Sequence, residues 1–139
     1  MNTESNGFKK RELRDFSMKS LWKVTMNSWH GLVYFYKYER SAILHLVAAI
    51  LMLLGAWMLE MSPMEWLVII MVLFTTLSVE LLNTAIEKVC DLVTREYNEN
   101  IKVAKDAGSA ATGVLTLVGI VVILIVYVPK IIEFIESLL

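Results

Sequence analysis

Residues 66–91 decide the fold, because an uncharged apolar run leads without a break into a series of carboxylates: WLVIIMVLFTTLSVELLNTAIEKVCD. With Met64 before it and Leu81-Leu82 after it, the run Trp66–Val79 is long enough to cross a lipid bilayer as a helix. If that helix continues, a rotation of about 100° per residue gathers the polar residues that follow on one face. Asn83, Thr84, Glu87 and Asp91 each lie within about 60° of the direction of Glu80.

Two more segments are equally apolar. Ile43–Leu59 is interrupted only by His45, and Gly108–Val128 carries no charge at all. The chain of 139 residues is 57% hydrophobic and 19% charged, more apolar than soluble domains are. This composition excludes disorder, collagen-like repeats and nucleic-acid binding through bulk positive charge. A buried helix of a soluble protein remains the alternative for any one segment, but three of them predict an all-α integral membrane protein with spans at about 42–60, 64–82 and 108–128.

The placement of Lys and Arg predicts the orientation of these spans. Residues 1–40 carry eight Lys/Arg against four Asp/Glu, and residues 41–139 carry five against ten. The connection at 60–65 has no Lys or Arg, whereas the connection at 83–107 has four. Because positive residues stay inside, we expect a cytoplasmic N-terminus, an external C-terminus and a bacterial inner or plasma membrane. Trp57, Trp66 and Tyr127 would then lie at the outer interface.

The segment Phe16–Tyr38 is a separate element. On a helix, Trp22 and Trp29 fall on one face, and Lys19 and Lys23 fall on the other. Such an amphipathic helix is typical of a membrane surface, although packing on its own bundle fits the same pattern. We expect residues 1–15 to be a flexible basic arm and residues 16–139 to form one membrane domain. Cys90 is the single cysteine, so no intrachain disulfide forms.

The carboxylates indicate chemistry at the cytoplasmic ends of the spans. A glutamate at the depth of Glu80 is costly and is usually functional, and a general base is one such function. For Glu87 and Asp91, a position at the membrane interface is an equally good explanation. Glu39 precedes the first span and Lys105-Asp106 precedes the third, so charged groups collect at one membrane face. Oxygen ligands of this kind suit Mg²⁺, and the pattern indicates an anionic substrate handled beside a lipid. The sequence has no Walker A motif.

The residues resemble the prokaryotic diacylglycerol kinase family, which includes the undecaprenol kinases of Gram-positive bacteria. The resemblance rests on ELLNTAIE at 80–87, then Asp91, Glu96-Tyr97 and AKDAGSAA at 104–111, with a weaker match at Ser28-Trp29. It implies an N-terminal surface helix, three transmembrane helices and a homotrimer. It also implies transfer of the ATP γ-phosphate to a lipid hydroxyl at the cytoplasmic face.

The resemblance implies a role for each matching residue. Glu80 would be the general base and Asn83 would help to position the reacting groups. Glu39 and Glu87 would hold Mg²⁺. The implied nucleotide contacts are Glu39, Glu87, Asp91, Glu96, Tyr97, Lys105 and Asp106. The implied lipid contacts are Ser28, Trp29 and Ser109.

Three positions depart from the family pattern. Asn98 stands where members often have His, Ile43 where many have Arg, and Ser20 where some have Arg. The motif HLVAA at 45–49 and the pair Glu87-Lys88 resemble the Gram-positive branch. Undecaprenol is therefore the preferred substrate, diacylglycerol is the alternative, and a non-enzymatic membrane scaffold is the alternative from another class.

Overall fold

A computed structural model describes residues 17–139, and the arm predicted at residues 1–15 lies outside the described residues. The described chain is helical, with α1 at Met18–Tyr38, α2 at Arg40–Met58, α3 at Pro63–Val93 and α4 at Glu99–Leu138. It divides into two compact units, one ending at Tyr34 and the other comprising Phe35–Leu139. Each unit is described by itself.

The first unit contains most of α1. Its Trp22 and Trp29 side chains are 68% and 59% exposed. The Ser28 hydroxyl donates to the Val24 carbonyl at 3.0 Å, and the Thr25 hydroxyl donates to the Leu21 carbonyl at 3.1 Å. Both hydroxyls therefore bond within their own helix, one turn back along the chain.

The helices of the second unit are the three membrane-crossing candidates. By length and composition, α2, α3 and α4 can each cross a bilayer. Their 19, 31 and 40 residues correspond to about 28, 46 and 60 Å, so α3 and α4 exceed the hydrocarbon thickness of about 30 Å. Both helices continue past the apolar spans, which reduces the connection expected at 83–107 to residues 94–98.

The turn between α2 and α3 is also shorter than the expected connection at 60–65. Ser62 and Glu65 form a reciprocal capping box, in which the Ser62 amide donates to Glu65 Oε2 at 2.7 Å. Pro63 occupies the first helical turn, where its missing N–H costs nothing. Helix α3 therefore begins at Pro63. The preceding reversal uses Glu60, whose φ of 49° lies in the left-handed region.

Within this unit α3 packs against α4 and α2. The buried side chains of Ala56, Met61 and Ile69 form a core at the end near the α2–α3 turn. There the Tyr127 ring lies against Gly55, where an added Cβ would come 3.1 Å from ring atom Cε1. The Tyr127 hydroxyl donates to the Met52 carbonyl. A small residue thus lets two helices approach closely, as is common in membrane bundles.

Most large apolar side chains along the spans are exposed in the single chain, among them Leu44, Phe74 and Ile125 at 72%, 66% and 68%. A soluble protein of this size does not expose so much contiguous apolar surface. The all-helical architecture and the exposed apolar helices are those of an integral membrane protein, which confirms that prediction.

Candidate functional site

The crossing of α3 and α4 buries the amide of Asn83, which is only 9% exposed. Its Nδ2 donates to Glu87 Oε1 at 3.2 Å, one helical turn away. Its Oδ1 faces Gly108 so closely that a Cβ on Gly108 would overlap it. Among residues 17–139, that oxygen has no hydrogen-bond partner. Gly108 therefore provides the space in which Asn83 holds the Glu87 carboxylate.

Glu39 contacts the same part of α3. It occupies the N-cap position of α2, but its side chain makes no capping hydrogen bond. Instead, Glu39 Oε1 lies 3.0 Å from the Lys88 ammonium, with the two side chains 21% and 47% exposed respectively. Because Lys88 directly follows Glu87, this ion pair brings Glu39 to the same turn of α3 as Glu87.

The carboxylates can be tested for their fit to Mg²⁺. Over the described part of the chain, no three His, Cys, Asp or Glu side chains form a cluster that could hold a metal. Mg²⁺ often takes only one or two carboxylates and completes its shell with water and substrate phosphates. The Glu39 oxygen already faces a cation, the Lys88 ammonium. A Mg²⁺ ion at Glu39 and Glu87 would therefore need substrate phosphates and water to complete its shell.

A charged cleft of about 510 Å³ lies at the α3–α4 connection. It brings together the five remaining residues of the predicted nucleotide set: Asp91, Glu96, Tyr97, Lys105 and Asp106. Its volume is within the range of about 300–1,000 Å³ found for small-molecule sites. The basic residues Arg95 and Lys102, which predicted only the orientation of the spans, line the cleft as well.

Short-range hydrogen bonds shape the wall of this cleft. The Thr94 hydroxyl accepts from the Glu96 amide at 3.0 Å. Asn98 Oδ1 accepts from the amides of Asn100 and Ile101 at 3.0 and 3.3 Å, and so caps α4. Asn98, a departure from the family pattern, thus has a local structural role at the start of this helix.

An ion pair joins α3 to α4 across the cleft. The Lys105 ammonium lies 2.5 Å from Asp91 Oδ1, and both side chains are outside the apolar spans. The hydrogen bond from Lys105 lowers the pKa of Asp91, and the same bond raises the pKa of Lys105. At neutral pH both groups are charged.

A second cavity of about 420 Å³ lies among α2, α3 and α4, and Glu80 lines it. Most of its wall is apolar, with Leu44, Val72 and Ile120 among the lining residues. His45, which is not among the predicted site residues, also lines this groove. Its signal in the sequence was its position as the one polar interruption of the first span. This groove can hold a hydrocarbon chain beside a carboxylate.

The remaining predicted residues are described by the element to which each belongs. Ser28 and Trp29 belong to α1 in the first unit. Ser109 is exposed and follows Gly108. Glu39 and Glu87 line neither the cleft nor the groove. Asn83 thus contacts Glu87, and Glu39 contacts Lys88, the residue after Glu87. Five of the predicted nucleotide contacts line one cleft.

Helix α3 of this membrane protein lines both an apolar groove that contains one carboxylate and a charged cleft. This arrangement is suited to an enzyme that acts on a lipid and a water-soluble substrate. Comparison with known proteins agrees. Residues 26–127 match the family described as prokaryotic diacylglycerol kinase. The chain belongs to this family, and the names of the family and its relatives indicate a lipid kinase.

Three relatives illustrate the likeness. The undecaprenol kinase of Bacillus subtilis (strain 168) is 31% identical over 81% of this chain and 92% of its own length. The diacylglycerol kinase of Escherichia coli (strain K12) is 32% identical over 71% of this chain and 81% of its own. The diacylglycerol kinase of Synechocystis is 28% identical over 75% of this chain and 64% of its own.

Proposed function

We propose that this chain transfers the γ-phosphate of ATP to the hydroxyl of undecaprenol in a bacterial inner or plasma membrane. One observation carries the proposal: α3 presents Glu80 to an apolar groove and Asp91 to a charged cleft. Asn83 and Glu87 lie between them on the same helix. The helical rise separates Glu80 from Asp91 by about 16 Å, so a lipid end and a nucleotide end can meet near Asn83.

In this mechanism the lipid hydroxyl lies beside Glu80, which accepts its proton as the oxygen attacks the γ-phosphorus. The bond from that phosphorus to the β-phosphate oxygen breaks, and ADP leaves. Asn83 and Glu87 keep their mutual hydrogen bond and fix the attack geometry. Glu39 and Glu87 would hold Mg²⁺, which would neutralise phosphate charge when bound. Positioning and charge neutralisation account for most of the catalysis in phosphoryl transfer.

The nucleotide would bind in the charged cleft. Asp91, Glu96, Tyr97, Lys105 and Asp106 all line it, which supports the contacts implied by the resemblance. The Tyr97 side chain is 83% exposed and is available to an adenine ring. We keep Ser28, Trp29 and Ser109 as proposed lipid contacts on the strength of the resemblance alone.

The assembly is part of the proposal. In it α1 lies at the membrane surface, three copies form a homotrimer, and the cleft faces the cytoplasm. The positive residues of the α3–α4 region support this orientation. The exposed apolar faces of α2, α3 and α4 support contact with lipid or with further copies.

The preferred lipid is tested by supplying purified protein with labelled ATP and either undecaprenol or diacylglycerol in the same bilayer mimic. We expect the higher kcat/KM with undecaprenol. The likeness to the Bacillus subtilis undecaprenol kinase supports this order, and the likeness to the two diacylglycerol kinases supports the reverse. Faster transfer to diacylglycerol would reverse our assignment, and transfer to neither would remove both.

Glu80→Gln tests the general base. The amide cannot accept the hydroxyl proton, so kcat should fall by about 10²–10⁴-fold. Glu136→Gln is a matched control, because Glu136 is an exposed glutamate near the end of α4 and away from both cavities. A non-enzymatic scaffold predicts instead that neither substitution changes the function of the protein. Full turnover by Glu80→Gln would remove the assignment.

A further inference from the structure

Equal numbers of cations and carboxylates line the cleft, but within the described part of the chain only one of the cations forms an ion pair. Three cations, Arg95, Lys102 and Lys105, line it together with the carboxylates of Asp91, Glu96 and Asp106. Lys105 is already engaged, because its ammonium lies 2.5 Å from Asp91 Oδ1. The charge of Lys105, itself a proposed nucleotide contact, is therefore partly compensated within the protein.

Arg95 and Lys102 are not engaged in this way. Both side chains are exposed, and among residues 17–139 neither has a carboxylate oxygen within 4.0 Å. Arg95 lies in the connection just after α3, and Lys102 lies in the opening turns of α4. Lys102 precedes Lys105 by three residues and so shares its helix face. Two cations without an ion pair to any described residue, one in the α3–α4 connection and one in α4, thus line the same cavity.

We propose that Arg95 and Lys102 bind the phosphate chain of the nucleotide beside Lys105, which also pairs with Asp91. This inference rests on the proposed function, since it takes ATP as the ligand. A guanidinium binds two phosphate oxygens at once, and an ammonium binds as a compact point charge. Together they give the cleft a preference for a polyphosphate that the paired Lys105 alone does not provide. The family resemblance assigns no role to either residue.

Nucleotide binding by the full-length protein in detergent micelles tests this assignment without relying on turnover. ATP, ADP and adenosine are each titrated by calorimetry against the wild type, Arg95→Gln, Lys102→Gln and the double variant. Each substitution should raise the Kd for ATP about tenfold, the loss expected for one charged hydrogen bond. The effect should shrink for ADP and vanish for adenosine. Lys102→Arg should restore most of the affinity for ATP.

Lys130→Gln is the matched control. Lys130 is also a lysine of α4, but it pairs with Glu133 at 2.8 Å near the other end of the helix and does not line the cleft. It should leave all three affinities unchanged. Steady-state turnover gives a second readout. Arg95→Gln and Lys102→Gln should each raise KM for ATP and leave KM for the lipid unchanged.

The outcomes separate the two proposals. Unchanged ATP affinity in the double variant, with normal binding by the wild type, would overturn the phosphate assignment and leave the proposed function intact. Equal losses for ATP and adenosine would also overturn it, because the two side chains would then act on the fold of the cleft. A wild type that binds no ATP at all would overturn the proposed function itself.

Discussion

The contact between Gly108 and Asn83 allows a sharp test of the site. In Gly108→Ala the new methyl group would overlap Asn83 Oδ1, so either the amide must turn or the helices must separate. Overpacking of this kind costs about 1–3 kcal/mol. If the amide turns, the bond from Asn83 Nδ2 to Glu87 is lost, and hydrogen bonds to charged groups are worth about 1.5–3 kcal/mol.

If about 2 kcal/mol of that loss falls on the transition state, kcat/KM drops roughly 30-fold, since 1.36 kcal/mol corresponds to a factor of ten. The assay is lipid phosphorylation with labelled ATP in a bilayer mimic, with thermal unfolding followed in parallel. Gly113→Ala is the matched control. It lies on the same helix, and a Cβ there meets nothing within 4 Å.

On intrinsic helix propensity alone, both alanines should stabilise α4 by up to about 1 kcal/mol. We therefore expect Gly113→Ala to keep wild-type activity with equal or higher stability. Gly108→Ala should lose activity while remaining folded. Turnover of Gly108→Ala within twofold of Gly113→Ala would overturn this role of Gly108, because Asn83 would then have room to keep its bond to Glu87.

Three further predictions concern the frame around the site. Tyr127→Phe removes the hydrogen bond to the Met52 carbonyl and should lower the free energy of unfolding by about 0.5–1.5 kcal/mol, measured by denaturation in mixed micelles. Ser62→Ala breaks the capping box at the start of α3 and should cost about 1 kcal/mol in the same measurement, whereas an equal midpoint would contradict the capping role. The third prediction concerns pH, because the pKa of Asp91 is lowered in the folded state. The pair of Asp91 with Lys105 therefore stabilises the folded protein fully at pH values above the unfolded pKa of Asp91. This stabilisation is lost as the pH falls through the lowered, folded-state pKa. The stability difference between the wild type and Asp91→Asn should therefore be present at pH 7 and disappear in acid, and a difference that stays constant with pH would count against the pair.

The helical class and the three apolar helices were predictable from the sequence. They depend on the composition and the hydrophobic periodicity of each segment, which do not require knowledge of contacts with other segments. The column from Glu80 to Asp91 was predictable for the same reason, since a helix fixes the angle between residues. Contacts between helices were not. The pairing of Glu39 with Lys88, and of Lys105 with Asp91, depends on how α2, α3 and α4 approach one another.

The extent of the helices was also underestimated. The polar stretch at 83–107 predicted a long connection, because polarity indicates water and does not distinguish a helix in water from a loop. The structure continues α3 to Val93 and starts α4 at Glu99. Asn98 contributes to this through its cap, a role that its difference from the usual family residue did not suggest.

The unbroken course of α3 has a consequence for how this chain can vary in length. Glu80, Asn83, Glu87 and Asp91 keep their mutual directions only through the helical register. Inserting one residue between Glu80 and Glu87 would advance the later residues by about 1.5 Å and swing them by about 100° around the axis. The groove and the cleft would then open onto different sides of the helix. A substitution in this stretch changes one side chain, whereas an insertion or deletion would displace every site residue that follows it.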